Sequence, residues 1–415
     1  MPEIIGFGAA IAIGAAALYV AVLSNRLSAW IRVPAPALFL VAAAGLAAVL
    51  PRPAGSAGAA GLSVVTVQHV VTVALVIILF DGGMNLGWRR FRAAAGPVAL
   101  LGVAGTVLTT AAVALCCGTL LGFSWSAAVL IGAAVAPTDP AVVFSVLGRR
   151  EISGRSGAIL EGESGANDPV GIAIMLSLLA GGGVAGGLGE FAVQMAVGGV
   201  VGLAGGWALR LAIRRVTLPS EGLYPVRLLA GAGVLFGVAT VAHGSGFLAV
   251  FLAGILLGDA RGPHHAESRQ FLSALAHLGE IVAFVLLGLT VSLRALPAGH
   301  AWLLGLLLAV LLTLVIRPLV VLGLLARARL GTGERLFIGW AGLKGAVPIL
   351  LGTLPVTAGI PDAGRLYHVI VVVVAFSVIV QGGLVPVVAR WCGVPMRERA
   401  GSGYRPGDGE YQEDG

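Results

Sequence analysis

"GAAVAPTDPAVVF", residues 132–144, is the stretch that decides the fold. It lies inside an apolar run near 125–147. A bilayer core needs roughly 20 such residues. Pro137 and Pro140 nevertheless flank Thr138 and Asp139 in the middle of the run. Each proline lacks an N–H and clashes with the carbonyl four residues back, which frees the carbonyls of Ala133 and Ala136. Freed backbone at membrane depth is tolerated only inside protein or along a cavity. The stretch therefore predicts a helix broken beside an acidic residue, an arrangement suited to holding a cation. The plainer reading is a proline kink with a hydrogen-bonded Asp139.

The surroundings share this character. Of 415 residues, 58% are apolar and 11% charged, and mean hydropathy is +0.99. Apolar segments recur near 4–23, 34–50, 64–87, 93–121, 125–147, 156–180, 187–209, 224–243, 245–258, 271–293, 301–326, 334–357 and 366–390. This predicts an all-α polytopic membrane protein of about 13 transmembrane helices. The alternating ten-residue strands of a membrane β-barrel are not seen. Sixty-three glycines suit close helix–helix approach in lipid. Residues 4–23 lack a preceding basic stretch, so they read as a first span and not as a signal peptide. Cys116, Cys117 and Cys392 offer no disulfide framework.

Arginine placement predicts the orientation. Loops on one side of the thirteen segments carry twenty-one arginines; the other side carries Arg52, Arg294 and Arg365. Basic residues stay in the cytoplasm. The N-terminus is then outside and the C-terminus cytoplasmic, in a multi-pass protein of the cell (inner) membrane. The net charge of +7 is thus topological, and no nucleic-acid partner is expected. Residues 1–395 read as one transmembrane domain. Residues 396–415, ending in "GDGEYQEDG", read as a disordered cytoplasmic tail with no soluble domain after it.

Ionisable residues within spans are costly. Asp81, Asp139, Glu161, Glu163, Asp168, Glu280 and Lys344 together would cost on the order of 10–20 kcal/mol if unpaired. In "LEGESGANDPVGIAIM", residues 160–175, Ser164 and Asp168 share a helix face. Glu163 points about 140° away and needs its own cation. Lys344, the only lysine, is the candidate. Removing one partner of such a pair costs about 3–5 kcal/mol. Asn167 can hydrogen-bond without adding charge and brace the broken helix. Asp81 is either a second carboxylate at the site or its entrance, or a solvated helix end. Glu280 is either beside the site or on its rim. Arg317, ahead of Pro318, reads as a snorkelling or packing arginine.

Together these stretches resemble the monovalent cation/proton antiporter superfamily, which includes the NhaP-type sodium/proton antiporters and the animal sodium/hydrogen exchangers. "PTDP" (137–140), "GESGANDPV" (162–170) and "WAGLKGAVPI" (340–349) are similar to its Thr-Asp, Glu-Ser-x-x-Asn-Asp and Gly-Leu-Arg-Gly-Ala motifs. "LFDGGMNL" (79–86) and "SGFLAVFLAGILLGD" (245–259) resemble the potassium/proton branch. The resemblance implies the NhaA-like antiporter fold, inverted repeats with broken crossing helices, in a homodimer with a mobile core. It implies Asp168 as the ion- and proton-binding carboxylate. Asp139, Thr138 and Ser164 would complete the Na+ or K+ site, with Glu163 and Lys344 as a structural ion pair. Asn167 implies electroneutral exchange. No cofactor is expected. Two departures stand out: the family's arginine is Lys344 here, and the chain shows none of the cytoplasmic regulatory domains common in the potassium branch, so nucleotide gating is not expected.

The mechanism these residues suggest is competition. A desolvated carboxylate beside a second one holds its proton more tightly, and a bound cation favours the ionised form. Proton and cation would exclude each other at Asp168. The rival readings are a cation channel, and a rhomboid-like serine protease with Ser164 as nucleophile and His243 as base. Sodium versus potassium is not legible.

Overall fold

The computed structural model describes residues 2–31, 33–49, 62–147, 150–152, 154–181 and 183–398. The loop carrying Arg52 and the tail from Arg399 onward lie outside these residues. The first helices are α1 (Pro2–Ile31), α2 (Ala35–Val49), α3 (Val64–Ala99) and α4 (Thr106–Thr119). Then come α5 (Trp125–Val135), α6 (Pro140–Leu147), a short strand β1 (Arg150–Ile152), α7 (Arg155–Leu179), α8 (Gly183–Arg215) and α9 (Leu223–Val241). The rest comprises α10 (Gly246–Gly258), α11 (His265–Thr290), α12 (Ala301–Leu311), α13 (Arg317–Leu324), α14 (Thr332–Trp340), α15 (Ala346–Thr357), α16 (Ala363–Phe376), α17 (Gly382–Trp391) and a second strand β2 (Met396–Glu398). Apart from two three-residue strands and short 3-10 turns, the described elements are helices.

Helix starts follow local chemistry. The hydroxyls of Ser63, Ser124 and Ser245 accept the backbone N–H groups of Thr66, Ala127 and Leu248. Each satisfies one orphan donor of its helix. Gly87 sits at φ +66° and interrupts α3, so this long element is two helices joined at a glycine. Three long elements pass through π-helical turns, at Leu100–Gly105, Leu312–Ile316 and Ser377–Gln381. Packing relies on small residues. A Cβ at Gly83, Gly254 or Gly258 would collide with the facing backbone between α3 and α10, which is the close approach small residues permit.

Among the described residues, seven helices are long and apolar enough to cross a membrane, or eight if α5 and α6, bent by 42° at their break, count as one span. Every one of the thirteen apolar segments overlaps helix, but thirteen crossings remains a reading of the sequence. The segment near 334–357, expected as one run, is interrupted: α14 ends at Trp340, and residues 341–345 are unwound before α15. Residues 396–398, expected as the start of the tail, form a strand instead. Met396–Glu398 pairs antiparallel with Arg150–Ile152.

Candidate functional site

The break between α5 and α6 meets the break between α14 and α15. The backbone N–H of Asp139 donates to the carbonyl of Leu343 at 2.7 Å. In return, Lys344 Nζ donates to the carbonyls of Ala136 at 3.0 Å and Pro137 at 3.1 Å. The carbonyl that Pro140 frees is therefore held by the buried Lys344 amino group. Asp139 Oδ1 accepts the N–H of Ala141 at 2.8 Å, at the start of α6. Helix dipoles explain this division of charge: carbonyl ends favour a cation and N–H ends an anion. Gly345 makes the crossing possible, because a Cβ there would overlap the Asp139 carboxylate.

Helix α7 braces the first break. Asn167 Nδ2 donates to Thr138 Oγ1 at 2.7 Å, and the Thr138 N–H donates to Asn167 Oδ1 at 3.2 Å. Ser164 Oγ donates to the Thr138 carbonyl. These bonds tie Thr138, Ser164 and Asn167 to one another, while each hydroxyl oxygen keeps a lone pair beyond the bond it makes. Asp168, 8% exposed, lies within coulombic reach of Asp139 and Lys344. No hydrogen bond from any described residue reaches its carboxylate. The structure brings together five of the six expected ion-site residues: Asp168, Asp139, Thr138, Ser164 and Asn167.

The expected pair of Glu163 with Lys344 is not formed. Glu163 Oε1 accepts from Arg317 Nη2 instead, with the two side chains 1% and 3% exposed. The reason is direction. Glu163 does point away from Asp168, as its 140° offset requires. That face meets Arg317, at the π-to-α junction before α13, whereas Lys344 is engaged by the backbone carbonyls. Arg317 is therefore neither snorkelling nor merely packing. A Cβ at Gly342 would meet its guanidinium, which seats it against the second unwound segment. That segment is held on its other side: the Lys344 N–H donates to Ser377 Oγ, Ser377 Oγ to Gln381 Oε1, and Gln381 Nε2 to the Trp340 carbonyl. Sequence reasoning missed Ser377 and Gln381. Their only sign was a polar pair four apart in an apolar run.

Asp81, also buried, stands apart from the crossing. Its carboxylate accepts from Asn85 Nδ2 at 2.8 Å and is within coulombic reach of His277 and Arg269. Arg269 bonds Asn85 Oδ1 at 3.0 Å. Glu280 lies between the two groups, 3.8 Å from His277 Nδ1 and within coulombic reach of Asp139. Glu161 pairs with Arg90 at 3.0 Å. A cavity of about 440 Å³ at this arginine-rich end is lined by Asn85, Gly87, Arg89, Asp259 and Arg269, among others. The protease geometry is not present at Ser164, whose hydroxyl serves the Thr138 backbone. No group of three or more metal-ligating side chains occurs among the described residues.

Comparison with known proteins gives consistent results. The family model described as "Sodium/hydrogen exchanger, transmembrane" matches residues 13–391. The chain is 36% identical over 360 residues to the K(+)/H(+) antiporter NhaP of Alkalimonas amylolytica, covering 83% of this chain and 62% of the relative. It is 35% identical over 400 residues to the K(+)/H(+) antiporter NhaP2 of Shewanella oneidensis, covering 92% and 67%. The chain thus spans about two thirds of the length of these curated relatives. In fold it is similar to the sodium proton antiporter MjNhaP1 of Methanocaldococcus jannaschii at pH 8, with TM-score 0.78, 22% identity, and coverage of 91% and 99%.

Proposed function

The chain belongs to the sodium/hydrogen exchanger family, and from that membership we propose that it exchanges a monovalent cation, Na+ or K+, for H+ across the membrane through Asp168. The observation that carries this is the contrast between Asp168 and its neighbours. Thr138, Ser164, Asn167 and the backbone of Asp139 are tied into the crossing. Asp168 alone keeps an uncommitted carboxylate beside them. Thr138, Ser164 and Asn167 hold the broken helix in place, so that their oxygens and the two carboxylates are available around one ion. The curated relatives carry the name of K(+)/H(+) antiporters, which supports K+ as the cation to try first.

Two carboxylates, Asp139 and Asp168, share the site with one ammonium, Lys344. A cation bound at Asp168 stabilises its ionised form, and a proton neutralises the same group. Either occupant balances the site, so the loaded protein can change its accessible side with H+ or with the cation. Asn167 adds no charge, which supports electroneutral exchange. Asp81 and Glu280 supply acidic positions between the arginine-rich end and Asp139. The helices that carry the two breaks and Asp168 move as one body against the rest, within a lipid-embedded homodimer. Thirteen crossings, with the N-terminus outside and the C-terminus cytoplasmic in the cell (inner) membrane, complete this reading.

The test is proton flux in sealed vesicles, with Na+, K+ or Li+ added in turn, for the wild type and Asp168→Asn. Cation-driven proton movement in the wild type and none in the variant is expected. Full-rate exchange by Asp168→Asn would overturn the assignment of the site. Cation movement with no coupled proton would leave the channel reading in its place.

A further inference from the structure

At the arginine-poor end of the helices, two sets of polar groups join segments that the proposed exchange must separate. Gln68, in the second turn of α3, donates through Nε2 to Thr353 Oγ1 at 2.9 Å and to Thr357 Oγ1 at 3.2 Å, both on α15. Thr353 spends its own hydrogen on the Leu350 carbonyl, so it is an acceptor here. At the last residue of α11, Thr290 Oγ1 donates to the Leu287 carbonyl and stands 2.6 Å from Tyr367 Oη on α16. Tyr367 must therefore be the donor. Gln68, Thr353 and Tyr367 are buried.

These contacts differ in kind from those deeper in the molecule. Halfway along α11, Glu280 is within coulombic reach of Asp139, an acid against an acid. Nearer the arginine-rich end, Asn85 and Arg269 bond α3 to α11, neither of which carries a crossing break, and the Arg90–Glu161 pair joins α7 to the part of α3 beyond its interruption at Gly87. The hydrogen bonds that cross from α3 and α11 to the helices following the second break lie at the arginine-poor end. Helix α15 starts at the crossing itself, with Gly345 against Asp139. A bond to Thr353 or Thr357 thus acts on the same rigid helix that frames the ion site.

We infer that Gln68 and Tyr367 are positioning residues that close the outer face: their bonds to Thr353, Thr357 and Thr290 hold α15 and α16 against α3 and α11, so that this conformer opens its site only toward the arginine-rich side. The inference rests on the antiport reading. It predicts that the bonds are made in one half of the cycle and broken in the other. A buried hydrogen bond of this kind shifts a two-state equilibrium about twofold to tenfold.

The test measures the apparent KM for the transported cation separately from each face, in sealed vesicles of known orientation. The variants are Tyr367→Phe, which removes a single hydroxyl, and Gln68→Leu. Each should lower KM at the arginine-poor face and raise it at the arginine-rich face, by about twofold or more. A change in overall rate with both KM values moving together, or with neither moving, would overturn the inference. If Gln68→Leu does not reach the membrane, Tyr367→Phe decides alone. Failure of wild-type vesicles to exchange at all would instead count against the antiport reading.

Discussion

Glu163 and Arg317 form an ion pair inside the protein, on helices far apart in sequence, with both side chains almost fully buried. Removing one partner strands a charge and costs about 3–5 kcal/mol, whereas replacing both with apolar groups can be neutral. Arg317→Met should therefore lower the thermal midpoint of the purified protein sharply. The double variant Glu163→Met/Arg317→Met should recover much of the loss. A double variant no more stable than Arg317→Met would contradict the pairing.

Lys344 serves a different structure, the carbonyls of Ala136 and Pro137. Lys344→Met leaves two buried acceptors without donors, at about 1–3 kcal/mol each. The two assignments separate in double-mutant cycles on thermal or denaturant stability. Glu163→Gln with Arg317→Met should couple by more than about 1 kcal/mol. Glu163→Gln with Lys344→Met should couple much more weakly, although both sit in one polar region. Stronger coupling to Lys344 would restore the pairing first expected from the sequence.

Much of the site was legible without coordinates, and the exceptions have a common cause. Pro137 and Pro140 announce the first break, because a proline removes helical hydrogen bonds whatever surrounds it. The separation of Glu163 from Asp168 follows from helical geometry alone. What local pattern cannot supply is which distant helix faces which. Arg317 and Lys344 are both cations within spans, the sequence favours Lys344 as the partner of Glu163, and only packing decides that Arg317 takes that place. The second break was invisible for a related reason. "AGLKG" (341–345) has no proline. Its unwinding is sustained by contacts from elsewhere: the Asp139 N–H on Leu343, Ser377 on Lys344 and Gln381 on Trp340. Gln68 is one polar residue in an apolar run, and its partners lie 285 and 289 positions away.

Gly345 lies where the two breaks touch, and a methyl group there has no room beside the Asp139 carboxylate. Gly345→Ala should reduce exchange at least tenfold, while Gly323→Ala, where a Cβ meets nothing, should leave it unchanged apart from helix propensity. Flux in vesicles, normalised to protein content, checks this. Equal activity of the two variants would mean that the crossing is looser than the structure indicates.

Asp81 lies off the crossing, bonded to Asn85. Asp81→Asn should raise the cation KM from the arginine-rich face several-fold and leave the limiting rate within about threefold. Complete loss of exchange in this variant would move Asp81 from the entrance to the site itself.

The most direct measurement is proton release on cation binding. Purified protein in weakly buffered detergent solution, held at a pH where Asp168 is protonated, is titrated with K+ and with Na+. A carboxyl that holds one occupant at a time releases close to one proton per chain as the transported cation saturates, and the apparent affinity weakens as pH falls. Asp168→Asn should release none. Cation binding without proton release, or release that persists in Asp168→Asn, would contradict a single site shared by proton and cation.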